Sequence, residues 1–254
     1  VTPHLHLGKY YRYLWKDTDL LVILGYFQEV AESKRLYEER YKIQPAFPEK
    51  EPQLRALMSA CALAAVSLSD RESWGWTMTL PGSDVGFFCA VEPEGIITAT
   101  MRPAPPNHAA VYVQRHQGTA PMTQSMLEPK SDDPVKVVEQ YFNQAVQTET
   151  RIVLDADASG VLVQALPGGK FETVATLEED KLLDLCRQSA ARGDFKPMGE
   201  VLIFYECRCD DQMILSMITS LPENERKAVW GDLQSLSIEC PRCGREYVIE
   251  RTVQ

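Results

Sequence analysis

"CRCDDQMILSMITSLPENERKAVWGDLQSLSIECPRCGREY" (residues 207–247) sets Cys207 and Cys209 one residue apart and closes with Cys240 and Cys243, two residues apart. Four of the chain's 7 cysteines lie here, while Cys61, Cys89 and Cys186 occur singly in apolar or amphipathic stretches. A disulfide framework would spread its pairs along the chain, so the clustering points to a metal and a reducing compartment. Four thiolates have the number and softness that tetrahedral Zn²⁺ takes. No histidine follows His116, so a metal site here is all sulfur. Pro241-Arg242 and then Gly244 suit a tight knuckle whose backbone N–H groups turn toward the sulfurs. Between the pairs, Met213, Met217 and Leu221 share a helical face, "LPENERKAVW" carries a Pro-Glu helix start, and "LSIEC" and "EYVIE" read as a strand pair. A segment of about fifty residues closes a core poorly by itself, and a metal is one remedy.

Two readings of this cluster stand side by side. One is a structural zinc knuckle without chemistry. The other is a reactive centre, because a disulfide between thiols one residue apart is strained and reducible. Arg208, Arg242 and Arg245 lie beside the cysteines, where cationic charge favours thiolate. The same arginines are equally readable as surface charge.

Working outward, "GEVLIFYEC" (199–207) leads into the cysteines as a strand, and "TLEEDKLLDLCRQSAARGD" (176–194) carries a helical stripe of Leu177, Leu182 or Leu183, and Cys186 that needs a partner surface. "RIVLDADASGVLVQALPGG" (151–169) reads as two short strands around a turn at 156–160. "DDPVKVVEQYFNQAVQTET" (132–150) has an Asp-Pro helix start and apolar positions at 135, 138, 142 and 146. In "SWGWTMTLPG" (73–82) Trp74, Trp76, Met78 and Leu80 alternate onto one face, "DVGFFCAVEPEGIITATMRP" (84–103) reads as two strands joined at 92–95, and "HAAVYVQRH" (108–116) as another, a meander-like antiparallel sheet. "PQLRALMSACALAAVSLSD" (52–70) predicts a mostly buried helix, and 17–44 a helix or broken helix. The fold class expected is α+β: an antiparallel-sheet core with packed helices (1–169), a helical linker (170–202) and a small C-terminal zinc-binding domain (203–254).

Net charge is −10 with pI near 5.0, a sign that repels phosphate backbones and anionic lipid headgroups. The run "MSACALAAVSL" (58–68) is short of the roughly 20 residues a bilayer span needs. The N-terminal "VTPHLHLGKYYRYLWKD" lacks the basic flank, apolar run and cleavage site of a secretory signal. We expect a cytoplasmic protein with no nucleic-acid or membrane partner.

The stretch 207–247 resembles the C-terminal pattern of the redox-regulated thirty-three-kilodalton heat-shock chaperone family, the bacterial holdases: a Cys-x-Cys pair, a Leu-Pro-Glu-like helix start, then an acidic-flanked Cys-x-x-Cys followed by an aromatic. "YFNQAVQTETRIVLDADASGVLVQALPGG" (141–169) is similar to a family stretch in which a Tyr-Phe helix runs into a polar turn, two strands and a Leu-Pro end. Ala145 and Val146 depart from the Ser-Glu the family usually carries there, Gln147 is retained, the linker is shorter than usual, and the first fifty residues match poorly. The resemblance implies one Zn²⁺ on Cys207, Cys209, Cys240 and Cys243. It implies oxidation of these cysteines with zinc release, the expected disulfides being the local pairs Cys207–Cys209 and Cys240–Cys243. It further implies an ATP-independent holdase, not an enzyme, that binds unfolded or misfolded client proteins under oxidative stress and admits a homodimer on oxidation. Leu182, Leu183, Leu185, Trp74 and Trp76 are the candidate client contacts, the bland reading of the tryptophans being core.

Two other readings compete. A zinc-ribbon nucleic-acid module has Arg208, Arg226, Lys227, Arg242, Arg245 and Arg251 to offer, but acidic residues outnumber them in 203–254. A thiol oxidoreductase would place its Cys-x-x-Cys at a helix N-terminus, whereas Cys243 runs into a strand-like stretch. His108 and His116 flank a strand and read as surface or core.

Overall fold

The structure, a computed structural model, describes residues 6–68, 72–105 and 108–251. The first five residues of the N-terminal reading, and residues 69–70 of the expected helix 52–70, lie outside these.

The alternating and continuous apolar runs assemble into one ten-stranded sheet. Its strands are β1 (Gly8–Trp15), β2 (Leu20–Gly25), β3 (Glu72–Thr79), β4 (Val85–Val91), β5 (Ile96–Pro103), β6 (Ala110–Gln117), β7 (Thr123–Leu127), β8 (Thr150–Leu154), β9 (Gly160–Ala165) and β10 (Lys196–Tyr205). They lie in the order β7-β6-β3-β4-β5-β10-β1-β2-β9-β8. All neighbours are antiparallel except β10 and β5, which pair in parallel at Phe204–Ile96 and Tyr205–Ile97. The sheet is therefore no plain meander, since β6 returns to the free edge of β3 instead of pairing with β5.

One face is covered by α1 (Gln28–Tyr41), α2 (Glu51–Val66) and α3 (Pro134–Tyr141). Helix α2 is apolar on nearly every side, Leu54, Leu57, Met58 and Ala60–Ala64 all being buried, as a central Ala/Leu helix must be. Helix α3 starts at an Asp133 carboxylate that accepts the Val135 N–H at 2.8 Å, and it ends in a single π-helical turn, Phe142–Val146. Ala145 and Val146, the two departures from the family pattern, sit in that turn. Trp74 and Trp76 pack with Tyr141 at 5.6 and 5.0 Å between ring centroids and are buried, so the two tryptophans are core.

The opposite face, at the β1-β2-β9-β8 end, is covered by the segment expected to be a linker. Here α4 (Glu172–Ala175) and α5 (Glu179–Arg192) press Phe171, Val174, Leu182, Leu183 and Cys186 against Leu20, Val22, Leu24, Val153, Val161 and Val163. The α5 stripe thus finds its partner surface on the sheet. The expected boundary at 202/203 falls inside β10, which lies between β5 and β1 in the middle of the sheet.

The reading of 17–44 as helical is corrected in its first part: Leu20–Gly25 is a strand, and the helix begins at Gln28. The run "LLVILG" is buried on both faces, so its apolar residues do not alternate, and such a strand mimics a buried helix.

The C-terminal part forms α6 (Asp211–Thr219), α7 (Glu223–Trp230) and the hairpin β11 (Ser235–Glu239) with β12 (Glu246–Glu250). Its buried residues, Ile218, Trp230, Leu236, Tyr247 and Ile249, belong to the same cluster as the core beneath α1 and α2. No helix among the described residues is long and apolar enough to cross a membrane.

Candidate metal centre

Strand β10 delivers Cys207 to the end of the sheet, where the chain turns away. Asp210 then caps α6, its carboxylate accepting the Met213 N–H at 2.7 Å, which ends the extended run directly after Cys209. Cys240 and Cys243 stand on the tight connection between β11 and β12. That knuckle is closed by Gly244 N–H donating to the Cys240 carbonyl at 3.0 Å and Cys240 N–H donating to the Arg245 carbonyl at 2.8 Å. Gly244 has φ +76°, the left-handed conformation a glycine adopts without strain. The Arg242 N–H also points at Cys240 Sγ, 3.4 Å away.

The folding of these two loops brings the Sγ atoms of Cys207, Cys240 and Cys243 within 4.8 Å of one another, all three cysteines buried. Cys207 and Cys240 are 3.9 Å apart. Thiolates about 2.3 Å from a tetrahedral ion would stand about 3.8 Å apart, close to the separation of Cys207 and Cys240, so the three sulfurs could hold a metal ion. Cys209 stands at the margin: it is half-buried and falls outside the group of three, yet its thiol interacts with those of Cys207 and Cys240. The three remaining cysteines, Cys61, Cys89 and Cys186, are buried elsewhere in the core.

The charge state of the cluster follows from crowding. Hydrogen bonds from the Cys207 and Cys243 thiols hold Cys240 far below the usual thiol range. Cys207 is pushed up to about 12, chiefly through its bond to Cys240. Cys243 is driven far up by its bonds to Cys207 and Cys240, and Cys209 is raised mainly by burial. Crowding thus favours ionisation of Cys240 and opposes that of its neighbours, and a cation among them would ease further ionisation. If present, Zn²⁺ would supply that charge, with Cys207, Cys240 and Cys243 as three ligands and Cys209 as the fourth.

The arginines beside the cysteines are engaged with the core. Arg208 reaches Glu92 at 3.2 Å and Glu94 at 3.0 Å, and Arg242 reaches Glu92 at 2.5 Å. The Arg245 guanidinium lies over Tyr41 at 3.9 Å and Tyr247 at 4.5 Å. From α1, the Tyr37 hydroxyl lies 3.5 Å from Cys243 Sγ, and the Tyr247 hydroxyl donates to the Cys209 carbonyl at 2.5 Å. Tyr37, Tyr41 and Glu92 carried no signal in the sequence, since nothing local marks a contact spanning 206 positions.

The other expected residues divide. Leu182 and Leu183 are buried against the sheet and Leu185 is half-buried. His108 and His116 are exposed. The Met213–Met217–Leu221 face lines an open apolar groove of 460 Å³ that abuts Cys209 and Cys240.

The family model described as Hsp33 protein matches residues 28–250. A 33 kDa chaperonin of Shewanella sp. (strain MR-4) is 24% identical over 154 residues, covering 54% of this chain and 51% of that one. Another, from Hahella chejuensis (strain KCTC 2396), is 25% identical over 158 residues, covering 54% and 53%. The chain thus spans about half the length of the curated relatives it matches. The crystal structure of the 33 kDa chaperonin (heat shock protein 33 homolog) from Thermotoga maritima superposes with a TM-score of 0.69 over 96% of this chain and 95% of that one, at 17% identity, and so shares the fold.

Proposed function

Because the chain belongs to the Hsp33 protein family, we propose that it is a redox-regulated holdase whose four C-terminal cysteines hold one Zn²⁺ in the resting state. The observation that carries this reading is the convergence of three buried sulfurs, with Cys209 beside them, on a module seated against the core. A purely structural zinc knuckle or a nucleic-acid ribbon would not require that seating.

In the reduced cytoplasm the four cysteines, with Zn²⁺ bound, would tie α6, α7 and the β11–β12 hairpin together, and a structural zinc of this kind contributes on the order of 10 kcal/mol at pH 7. Peroxide transfers one oxygen to a thiolate, giving sulfenic acid as hydroxide leaves and takes up a proton to become water. The neighbouring thiol then attacks that sulfur, and a second water departs as the disulfide forms. Cys207–Cys209 and Cys240–Cys243 are the expected pairs. Each disulfide withdraws two ligands, and the module loses the order that the ion gave it.

Functionally the chain divides as 1–169, 170–202 and 203–254, with β10 shared between linker and sheet. Because β10 is at once the end of the linker and the strand leading to Cys207, melting of the module is transmitted to α5 through it. Apolar surface under α5 and under the module then meets exposed segments of unfolding client proteins, without ATP, and two opened copies can pair. Clients are the expected partners, not nucleic acid or membrane.

Zinc content and thiol titre before and after peroxide, with suppression of citrate synthase aggregation as the functional readout, test the reading. One zinc and no protection before oxidation, then zinc loss with protection, are expected. Retention of zinc after oxidation, or equal protection in both states, would overturn it.

A further inference from the structure

Both cysteine loops place an arginine on one carboxylate. Arg208, between Cys207 and Cys209, and Arg242, between Cys240 and Cys243, meet at Glu92, which arises from neither loop but from the β4–β5 turn of the core. The Glu92 side chain is only 14% exposed. Its backbone is fixed as well: Glu92 N–H donates to Ile96 at 2.8 Å, Gly95 N–H donates to Glu92 at 3.0 Å, and Phe204 N–H of β10 donates to Gly95 at 3.0 Å. Gly95 has φ +81°, and a Cβ there would lie 2.0 Å from the Leu202 carbonyl oxygen, so the turn is pinned against the strand that carries Cys207. The turn that carries the carboxylate is thus fixed by backbone contacts with the sheet and not by either cysteine loop.

On the other side of the cluster, Tyr37 is buried in α1 and packs on Tyr41 and Tyr205 at 4.7 and 5.2 Å between centroids. Its hydroxyl therefore has little freedom, and it faces Cys243 Sγ. A metal-bound cysteine is a thiolate and accepts such a hydrogen bond, and groups that orient and neutralise ligands in this way set metal affinity.

We infer that the core is part of the metal centre, Glu92 clamping both cysteine loops through Arg208 and Arg242 while Tyr37 donates to Cys243 Sγ, so that seating on the core and retention of the ion stabilise each other. This rests on the zinc reading above but not on holdase activity. By linkage the coupling is reciprocal: loss of the clamp loosens the metal, and loss of the metal loosens the seat. Glu92 and Tyr37 are positioning residues, acting on the ion only through the ligands and their neighbours.

The test is zinc release from the full chain under reducing conditions, followed with a chromogenic chelator. Glu92→Gln and Tyr37→Phe are each expected to release zinc about tenfold faster than wild type, the lower end of what such partners contribute. In the Glu92→Gln background, adding Arg242→Gln should change the rate much less than it does in the wild type, because Arg242 is held by that carboxylate; Arg208 is left in place, since it also pairs with Glu94 at 3.0 Å. A general structural defect would give additive losses instead. Should Tyr37→Phe lose wild-type circular dichroism, the decision rests on the Glu92–Arg242 cycle, whose side chains are polar and stand outside the apolar core. Unchanged rates, or additive ones, overturn the inference while leaving the zinc reading intact; a wild-type chain without zinc overturns both.

Discussion

Cys240 and Cys186 show how position decides what a thiol does. Cys240 receives hydrogen bonds from its sulfur neighbours and from a backbone N–H, which draws it toward thiolate. Cys186 sits in the α5–sheet interface, where burial pushes it up to about 12. We expect alkylation of the native reduced protein at pH 8 to leave Cys186 unmodified while unfolded protein reacts there fully, peptide mass mapping providing the check. Glu139 gives a pH signature. Burial raises its carboxyl above the ordinary value, against the lowering effect of the Ile152 N–H that it accepts at 2.9 Å. A raised folded-state pKa means that the folded form binds the proton more tightly. Its stabilisation is therefore fully present below the unfolded-state value of about 4.3 and is lost as pH rises through the folded-state value. Glu139→Gln should thus be more favourable for thermal stability at pH 7 than at pH 4; a larger benefit at pH 4 would contradict the sign. Gly95→Ala forces a side chain into the Leu202 carbonyl at positive φ, and a loss on the order of 3 kcal/mol is expected in urea unfolding.

Among the elements, α5 was legible as an amphipathic helix, and its stripe demanded a partner. That the partner is the β2-β9-β8 face, and not the cysteine module, follows only from the chain's path through β10. Leu182→Ala removes a fully buried side chain from this interface and is expected to cost about 3 kcal/mol. The variant should bind a hydrophobic dye in the reduced state with its zinc content unchanged, since α5 holds none of the cysteine ligands. Zinc loss in that variant would mean that linker docking controls the metal directly. Strand β2 was misread because a strand buried on both faces loses its alternation. β3, β4 and β8 were read correctly, and the Trp74-x-Trp76-x-Met78 alternation shows why: that strand buries one face and leaves Thr77 to solvent.

Across the whole molecule, the cysteine module shares a continuous cluster with the core and gathers three of its sulfurs within 4.8 Å of one another. Chelation of zinc from the reduced protein should abolish amide protection in α6, α7, β11 and β12 and lower it in β10 and α5, while the other nine strands of the sheet keep theirs, as hydrogen exchange read by mass spectrometry would show. Uniform loss across the chain would instead mean one cooperative unit. The sequence by itself determined the crowding of four cysteines into 207–243, the α+β class and most of the elements, because cysteine spacing and hydrophobic period are local properties. Only the tertiary structure decided that β10 runs through the middle of the sheet, that α5 shields one sheet face, and that Glu92 and Tyr37 meet the cysteine loops. The pairings of β10 with β1 and β5 and the contacts of Glu92 and Tyr37 join residues more than a hundred positions apart, and they exist only because backbone pairing and apolar burial fix where each end of the chain arrives.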